Sequence, residues 1–414
     1  MPNTGRQGPR PLPLHLATAM VGWTSSLAAL PLARSGSPIW KGSLRDEGAA
    51  LARDLAAVPP DELAAAVAAE IAGRSARLLS AVERYRAHPG GTRQSPADVV
   101  WAEGSTRLLD LGPPDGIPLL VVPSLINRWY ILDLMPERSF LARLVSRGVR
   151  PFVVDWGAPG EAERGFTLGD YIAGRLDGAL DAAQRVAGSP VVVLGYCMGG
   201  LLATSLALRR QDEVPALAVV ASPWDFHAVG PDEGRRAELS LAMLEPLIAA
   251  VGELPVDAIQ WLFHSQDPFQ VIDKFLRFGA LPPDSPQAAL FVAVEDWVND
   301  GVPLAGAVAR ACLGGWYARN EPGRGEWHVA GRRVDPAAWR RPFLAIVPMR
   351  DRIVPPPSAA ALADAVAGAE RIETRGGHIG MIVGDAAPAV TARIADWLHD
   401  AARAFNCSAG AVRL

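Results

Sequence analysis

Gly195-Tyr196-Cys197-Met198-Gly199-Gly200 follows the apolar run Val191-Val192-Val193-Leu194 and precedes the helix-forming Leu201-Leu202-Ala203-Thr204-Ser205-Leu206-Ala207-Leu208. A strand, a sharp turn and a helix in that order read as a nucleophile elbow. The flanking glycines let the backbone double back beneath one reactive residue, and the following helix points its N-terminus at the site. The residue in that place is a thiol, Cys197. A helix N-terminus and a nearby histidine both favour the thiolate, the reactive form of cysteine. The plainer alternative is a buried cysteine at a strand end acting as a small hydrophobe, and the partners found downstream favour the catalytic reading.

Short apolar runs lie on both sides of the elbow at Arg107–Leu111, Pro118–Pro123, Pro151–Asp155 and Ala216–Ala221, with helical stretches at Glu137–Ser146 and Asp170–Ala187 between them. Buried strands separated by helices predict an α/β fold, a mostly parallel central sheet flanked by helices. The alternation stops after Ala221 and resumes with the strands Pro342–Pro348 and Arg371–Thr374. The stretch between is helical in pattern and rich in aromatics, Trp224, Phe226, Trp261, Phe263, Trp297 and Trp316 among them. α/β-Hydrolases carry a mainly helical cap at this place, after the strand that follows the nucleophile helix. Most of its rings would fill the cap's own core, and those facing the sheet would line an apolar acyl tunnel. The expected organisation is a Pro/Arg-rich leader and apolar segment at 1–40, helices at 41–100, the hydrolase core at 101–222 and 341–405, the cap at 223–340 and a tail at 406–414.

Nucleophile, acid and histidine are expected in that chain order. Asp351 follows the strand ending at Val347, where a carboxylate can accept the imidazole N–H and stabilise the imidazolium. His378 follows the last strand, in Gly376-Gly377-His378-Ile379-Gly380, whose glycines permit a tight loop. An Asp in a turn is usually only a turn former. Asp351 and His378 rise above that reading because each sits just beyond a late strand. Asp225, also at the end of a core strand, is the chief rival for the acid. His227 and His264 are second choices for the base, and His15, His88, His328 and His399 read as structural. The oxyanion formed in acyl transfer needs two amide donors. Met198, next after the nucleophile, supplies one, and the loop Pro123-Ser124-Leu125-Ile126-Asn127 the other, with Leu125 and Ile126 as candidates.

Composition agrees with a large buried core, at 414 residues and 50% hydrophobic, and a net charge of −4 gives no sign of a nucleic-acid partner. Cys197, Cys312 and Cys407 are too few and too scattered for a disulfide framework or a metal site, which suits a reducing cytoplasm. From Pro11 to Ala33 the chain has no Asp, Glu, Lys or Arg. Pro11, Pro13, His15 and the Gly22–Ser26 interruption make a poor export signal. A docking or surface-seeking helix is the expectation there.

These motifs resemble the polyhydroxyalkanoate synthases, most closely the short catalytic subunits of class III. The resemblance rests on Pro123–Leu134, Val154–Gly157, Phe166–Ile172, the elbow, Asn320 before Gly331–Val334, Asp351–Pro355 and Gly377–Gly380, over roughly residues 100 to 385. It departs from the pattern at Arg352, where the family has histidine after the acid. The resemblance implies that Cys197 carries the acyl group, that His378 is its base and Asp351 the partner of His378. It implies 3-hydroxyacyl-CoA as substrate and a polyester as product, with coenzyme A entering only as part of the substrate and no other cofactor. A second copy of the chain or a second synthase subunit are the partners it leaves open, and the granule surface is a site of association. Asn127, Trp129, Tyr196 and Trp224 are the expected substrate contacts. Thiolate attack on an acyl-CoA exchanges one thioester for another and keeps the acyl group activated, so a thiol suits transfer. A cysteine hydrolase of the same fold, a thioesterase or polyester depolymerase, is the alternative, and a non-enzymatic scaffold is disfavoured by the intact triad.

Overall fold

The computed structural model describes residues 6, 8–38, 40–91, 95–230 and 232–411, with side chains through Phe405. Cys407 and the tail expected at 406–414 lie outside the described side chains. The chain divides into two compact units, Met1–Gly91 with Gln260–Asn299, and Thr92–Ile259 with Asp300–Leu414.

The larger unit is built on eight strands: β1 (Asp98–Glu103), β2 (Thr106–Asp110), β3 (Ile117–Val122), β4 (Val149–Asp155), β5 (Val192–Tyr196), β6 (Leu217–Val220), β7 (Phe343–Pro348) and β8 (Glu370–Thr374). They lie in the order β1-β2-β4-β3-β5-β6-β7-β8. β1, β2 and β4 pair antiparallel, and every pairing from β4 to β8 is parallel. Every residue of β4, β5, β6 and β7 is buried, as expected of parallel strands covered on both faces. Parallel strands end on one edge, so the loops after β3, β5, β6, β7 and β8 gather there, where open α/β sheets place their sites. The α/β-hydrolase expectation is met, with one strand the sequence did not reveal. β1 falls at the end of the stretch expected to be helical; its residues are half to fully exposed, and a register shift between Val99 and Trp101 interrupts its ladder. With no buried face, it carries no apolar alternation to find.

The smaller unit is helical: α1 (Leu12–Arg34), α2 (Arg45–Ala56), α3 (Pro60–Ala87), α4 (Gln270–Gly279) and α5 (Pro286–Asn299). Leu78, Val82 and Tyr85 of α3 pack on Ile272, Phe275 and Phe278 of α4 and on Val292 of α5. Asp296 accepts from the Arg6 guanidinium at 2.7 Å and from the Tyr85 hydroxyl at 2.9 Å. The middle of the stretch expected as one cap over 223–340, Gln260–Asn299, therefore shares a core with the N-terminal helices, while 223–259 and 300–340 belong with the sheet. Among the described residues α1 is the helix long and apolar enough to cross a membrane, 23 residues at a mean hydropathy of 1.4.

His15 on α1 is buried edge-on against His264, their ring centroids 4.4 Å apart. Burial lowers the His15 pKa to about 4, against the opposing hydrogen bond from its ring to the Arg10 carbonyl, and the nearby His264 and Lys274 lower it further. The folded ring stays neutral while the unfolded ring titrates near its ordinary value. The stabilisation is thus complete above about pH 6.5 and drains away as pH falls toward 4. After allowing for solvent screening, the loss should be about 1 kcal/mol by about pH 5. Hydrogen exchange of α1 amides, corrected for intrinsic rates, should show weaker protection at about pH 5 than at about pH 7.5. A His15→Leu protein should lose that dependence, and equal protection at both pH values in the parent would rule it out.

Candidate active site

Cys197 sits at φ 56° and ψ −128°, between the end of β5 and the helix Met198–Arg209. Its N–H donates to the Val220 carbonyl at 2.9 Å, and its own carbonyl accepts from Gly200 N–H at 2.9 Å and from the Ser222 hydroxyl at 2.6 Å. These bonds hold the turn from below and leave the side chain half-buried against Val347, Val354 and Ala359. The elbow glycines are required by space. A Cβ on Gly195 would lie 2.5 Å from the Gly199 carbonyl oxygen, one on Gly200 would overlap the Ser222 hydroxyl, and one on Gly199 would overlap the Val122 carbonyl oxygen.

Asp351 follows β7 and is buried. Its Oδ1 accepts from the backbone N–H groups of Ile353 and Val354 at 2.8 and 2.9 Å, which orients Oδ2 outward. The Nδ1–H of His378 donates to that Oδ2 at 2.6 Å, and Cys197 lies close enough for its charge to act on the ring. Burial disfavours a charged ring here. The Cys197 charge, then the hydrogen bond to Asp351 and the charge of that carboxylate, outweigh burial and raise the His378 pKa to about 10. His378 is therefore hydrogen-bonded to Asp351 and within electrostatic reach of Cys197.

Tyr196 lies beside these residues, its ring 5.3 Å from the imidazole and its hydroxyl donating to the His378 carbonyl at 3.2 Å. Burial, then the charges of Cys197 and Asp351, pushes its pKa well above the ordinary value, so the phenol remains a donor. Met198 opens the helix after Cys197, where backbone N–H groups lack helical partners. In the facing loop the Trp156 indole donates to the Pro123 carbonyl at 3.0 Å. Ile126 directs its N–H to the Ser124 hydroxyl at 3.3 Å and accepts from Val302 N–H at 3.0 Å. Leu125 is buried between them. Asn127 bridges Gly301 through its backbone, and Trp129 is buried. Trp224 hangs its N–H on the Ser358 carbonyl at 3.1 Å and meets Trp327 at 6.1 Å between centroids.

The rival residues have other work. Asp225 accepts from the Asn320 side-chain amide at 2.8 Å and from His227 N–H at 2.9 Å, while Asn320 accepts from Phe226 N–H at 2.9 Å. His227 bonds the Tyr317 carbonyl at 3.0 Å, and His264 lies in the helical unit with His15. The Asp225–Asn320 clasp pins the loop after β6 to the segment around Tyr317, a residue close enough to Cys197 for that charge to add to burial in raising its pKa. Asn320 holds a positive φ of 52° to do so. Its partner lies 95 positions earlier, so neither spacing nor periodicity exposes the pair. Ser222 went unread because its role is one bond to a main-chain carbonyl.

The family model for the α/β-hydrolase fold matches residues 117–385. The chain is 30% identical over 320 residues to the poly(3-hydroxyalkanoate) polymerase subunit PhaC of Allochromatium vinosum, an alignment covering 75% of this chain and 90% of that one. It is similarly 30% identical over 319 residues to the subunit of the same name from Thiocystis violacea, covering 75% and 89% of the two chains. The Synechocystis sp. subunit is 30% identical over 320 residues, covering 74% and 85%. A thiol at the elbow of a parallel sheet, matched over three quarters of the chain to these proteins, places it: the chain belongs to the α/β-hydrolase fold family and, within it, to the poly(3-hydroxyalkanoate) polymerase subunits.

Proposed function

We propose that this protein is an acyltransferase that joins (R)-3-hydroxyacyl groups from coenzyme A thioesters into a polyhydroxyalkanoate, through an acyl group held on Cys197. The observation that carries the reading is the row Cys197, His378, Asp351, with a thiol as its first member and 2.6 Å between its last two. His378 holds the proton given up by the Cys197 thiol, and the Cys197 sulfur attacks the thioester carbonyl. Negative charge gathers on the carbonyl oxygen, where the Met198 and Leu125 amides are the assigned donors, Ile126 having given its own to Ser124. The C–S bond to coenzyme A breaks, and the departing thiolate takes the proton from His378. His378 next removes the proton from a 3-hydroxyl group of an incoming unit or chain. That oxygen attacks the acyl-Cys197 carbonyl, an ester forms, and the Cys197 sulfur leaves to be reprotonated. Asp351 steadies the charged imidazole at each stage.

The deciding experiment incubates purified protein with 3-hydroxybutyryl-CoA and follows coenzyme A and the acyl product together. Polymer supports the reading, and free hydroxy acid would replace it with hydrolysis. Asp351→Asn should lower kcat by on the order of 10³- to 10⁴-fold with the fold retained. An amide oxygen can still accept from Ile353 and Val354, but its NH₂ then faces Nδ1 and forces the wrong tautomer. Steady-state rates and the melting midpoint check this together, and a rate within about tenfold of wild type would remove Asp351 from the mechanism.

A further inference from the structure

The larger unit contains a cavity of about 680 Å³ that includes none of Cys197, Asp351 and His378. Two of its walls are π-helical turns, Tyr171–Leu176 and Ala311–Ala318, a form that recurs at functional sites because it sacrifices regular hydrogen bonding for a local bulge. Its apolar faces come from Phe166, Leu168, Trp316, Trp327 and Val329.

The polar groups on these walls are unevenly spent. Glu103 pairs with the Arg175 guanidinium, Asp170 accepts from Thr167 N–H and hydroxyl at 2.7 Å each, and Glu321 pairs with Arg319 at 2.7 Å. Each of the three carboxylates is occupied. Two donors are not: the Nε1–H of Trp316, a residue 2% exposed, and the Nε–H of Arg175, whose guanidinium lies 5.1 Å over the Phe166 ring, are buried without a hydrogen-bond partner. Buried donors left unpaired cost free energy until a ligand satisfies them. Three carboxylates against one guanidinium oppose a polyanion such as coenzyme A. The complement to apolar walls with spare donors is an uncharged ligand that only accepts hydrogen bonds.

A polyester is such a ligand, with ester oxygens at regular intervals and no donor along its length. The volume accommodates several units, and the walls adjoin the proposed active site through one aromatic layer. Trp327 meets Trp224 at 6.1 Å, and Trp316 meets Phe226 at 6.0 Å, which in turn meets Tyr317 at 4.7 Å. Resting on the function proposed above, we infer that this cavity docks a segment of the uncharged hydroxyacyl ester chain, with Trp316 Nε1 and Arg175 Nε donating to its carbonyl oxygens.

The test uses full-length Cys197→Ala protein, which cannot turn over, and the methyl ester of the linear (R)-3-hydroxybutyrate trimer, measured by calorimetry. The trimer should bind. Adding Trp316→Phe keeps a ring and removes the donor; adding Gly174→Leu fills the cavity at a position where an added Cβ meets nothing within 4 Å. Each should raise Kd by about fivefold or more, with an unchanged melting midpoint showing that the variants fold. No binding to the parent, Kd values within about twofold of it in both variants, or displacement of the trimer by coenzyme A alone would overturn the site. Because catalysis is absent from this assay, its failure beside polymer formation by wild type sinks only the cavity. Hydroxy acid as the wild-type product would sink the function instead.

Discussion

Replacing Cys197 with alanine is expected to lower coenzyme A release from 3-hydroxybutyryl-CoA by at least about 10⁴-fold, because the covalent route disappears and only binding and the amide donors remain. The substitution should leave the fold intact, since the turn is held by main-chain bonds to Val220, Gly200 and Ser222 that do not involve the thiol. Cys197→Ser separates shape from chemistry. An alkoxide from serine would form an oxygen ester, which is less activated than a thioester, so the acyl group should enter slowly and leave more slowly still. Mass spectrometry after mixing with substrate should therefore find acylated protein persisting in the Cys197→Ser sample and cleared in wild type. Equal coenzyme A release by wild type and Cys197→Ala would end the covalent mechanism.

Gly199→Ala is expected to be nearly as damaging by a different route. The new methyl would overlap the Val122 carbonyl oxygen and lie 2.8 Å from the Pro123 carbonyl carbon, and both are main-chain atoms at the end of β3 that cannot swing aside. Relief requires moving either the nucleophile helix or the Pro123–Asn127 loop. A destabilisation of about 3 kcal/mol or more follows, lowering the melting midpoint by several degrees, with activity falling further than stability because the loop moves off the site. Gly165→Ala is the matched control: a Cβ there meets nothing within 4 Å, and its effect should stay within about 0.5 kcal/mol. Similar midpoints for the two proteins would show that the elbow has room it lacks here.

The parallel sheet was readable because β4 to β7 are buried along their whole length, which leaves unbroken apolar runs in the sequence. The candidate site was readable through position: Cys197, Asp351 and His378 each follow a strand of that sheet, and parallel strands deliver their ends to one edge. The grouping of helices was not. The apolar faces of α4 and α5 announce burial, but nothing in Phe275 or Phe278 says that Leu78 and Tyr85, some 190 residues earlier, are what they bury against. The cavity walled by Trp316 and Trp327 was hidden for a related reason. Trp316 and Trp327 read as core aromatics, and the vacancy beside them depends on residues from Phe166 to Arg175 that only the folded chain brings near.

The φ of 56° at Cys197 makes a cysteine a poor tenant of that position. Side chains in that region of backbone space are strained by about 1–3 kcal/mol, and glycine would relieve it. Selection for durability alone would therefore erase the thiol. Beside three tightly confined glycines, the thiol at 197 is thus kept at a thermodynamic cost that glycine would not carry.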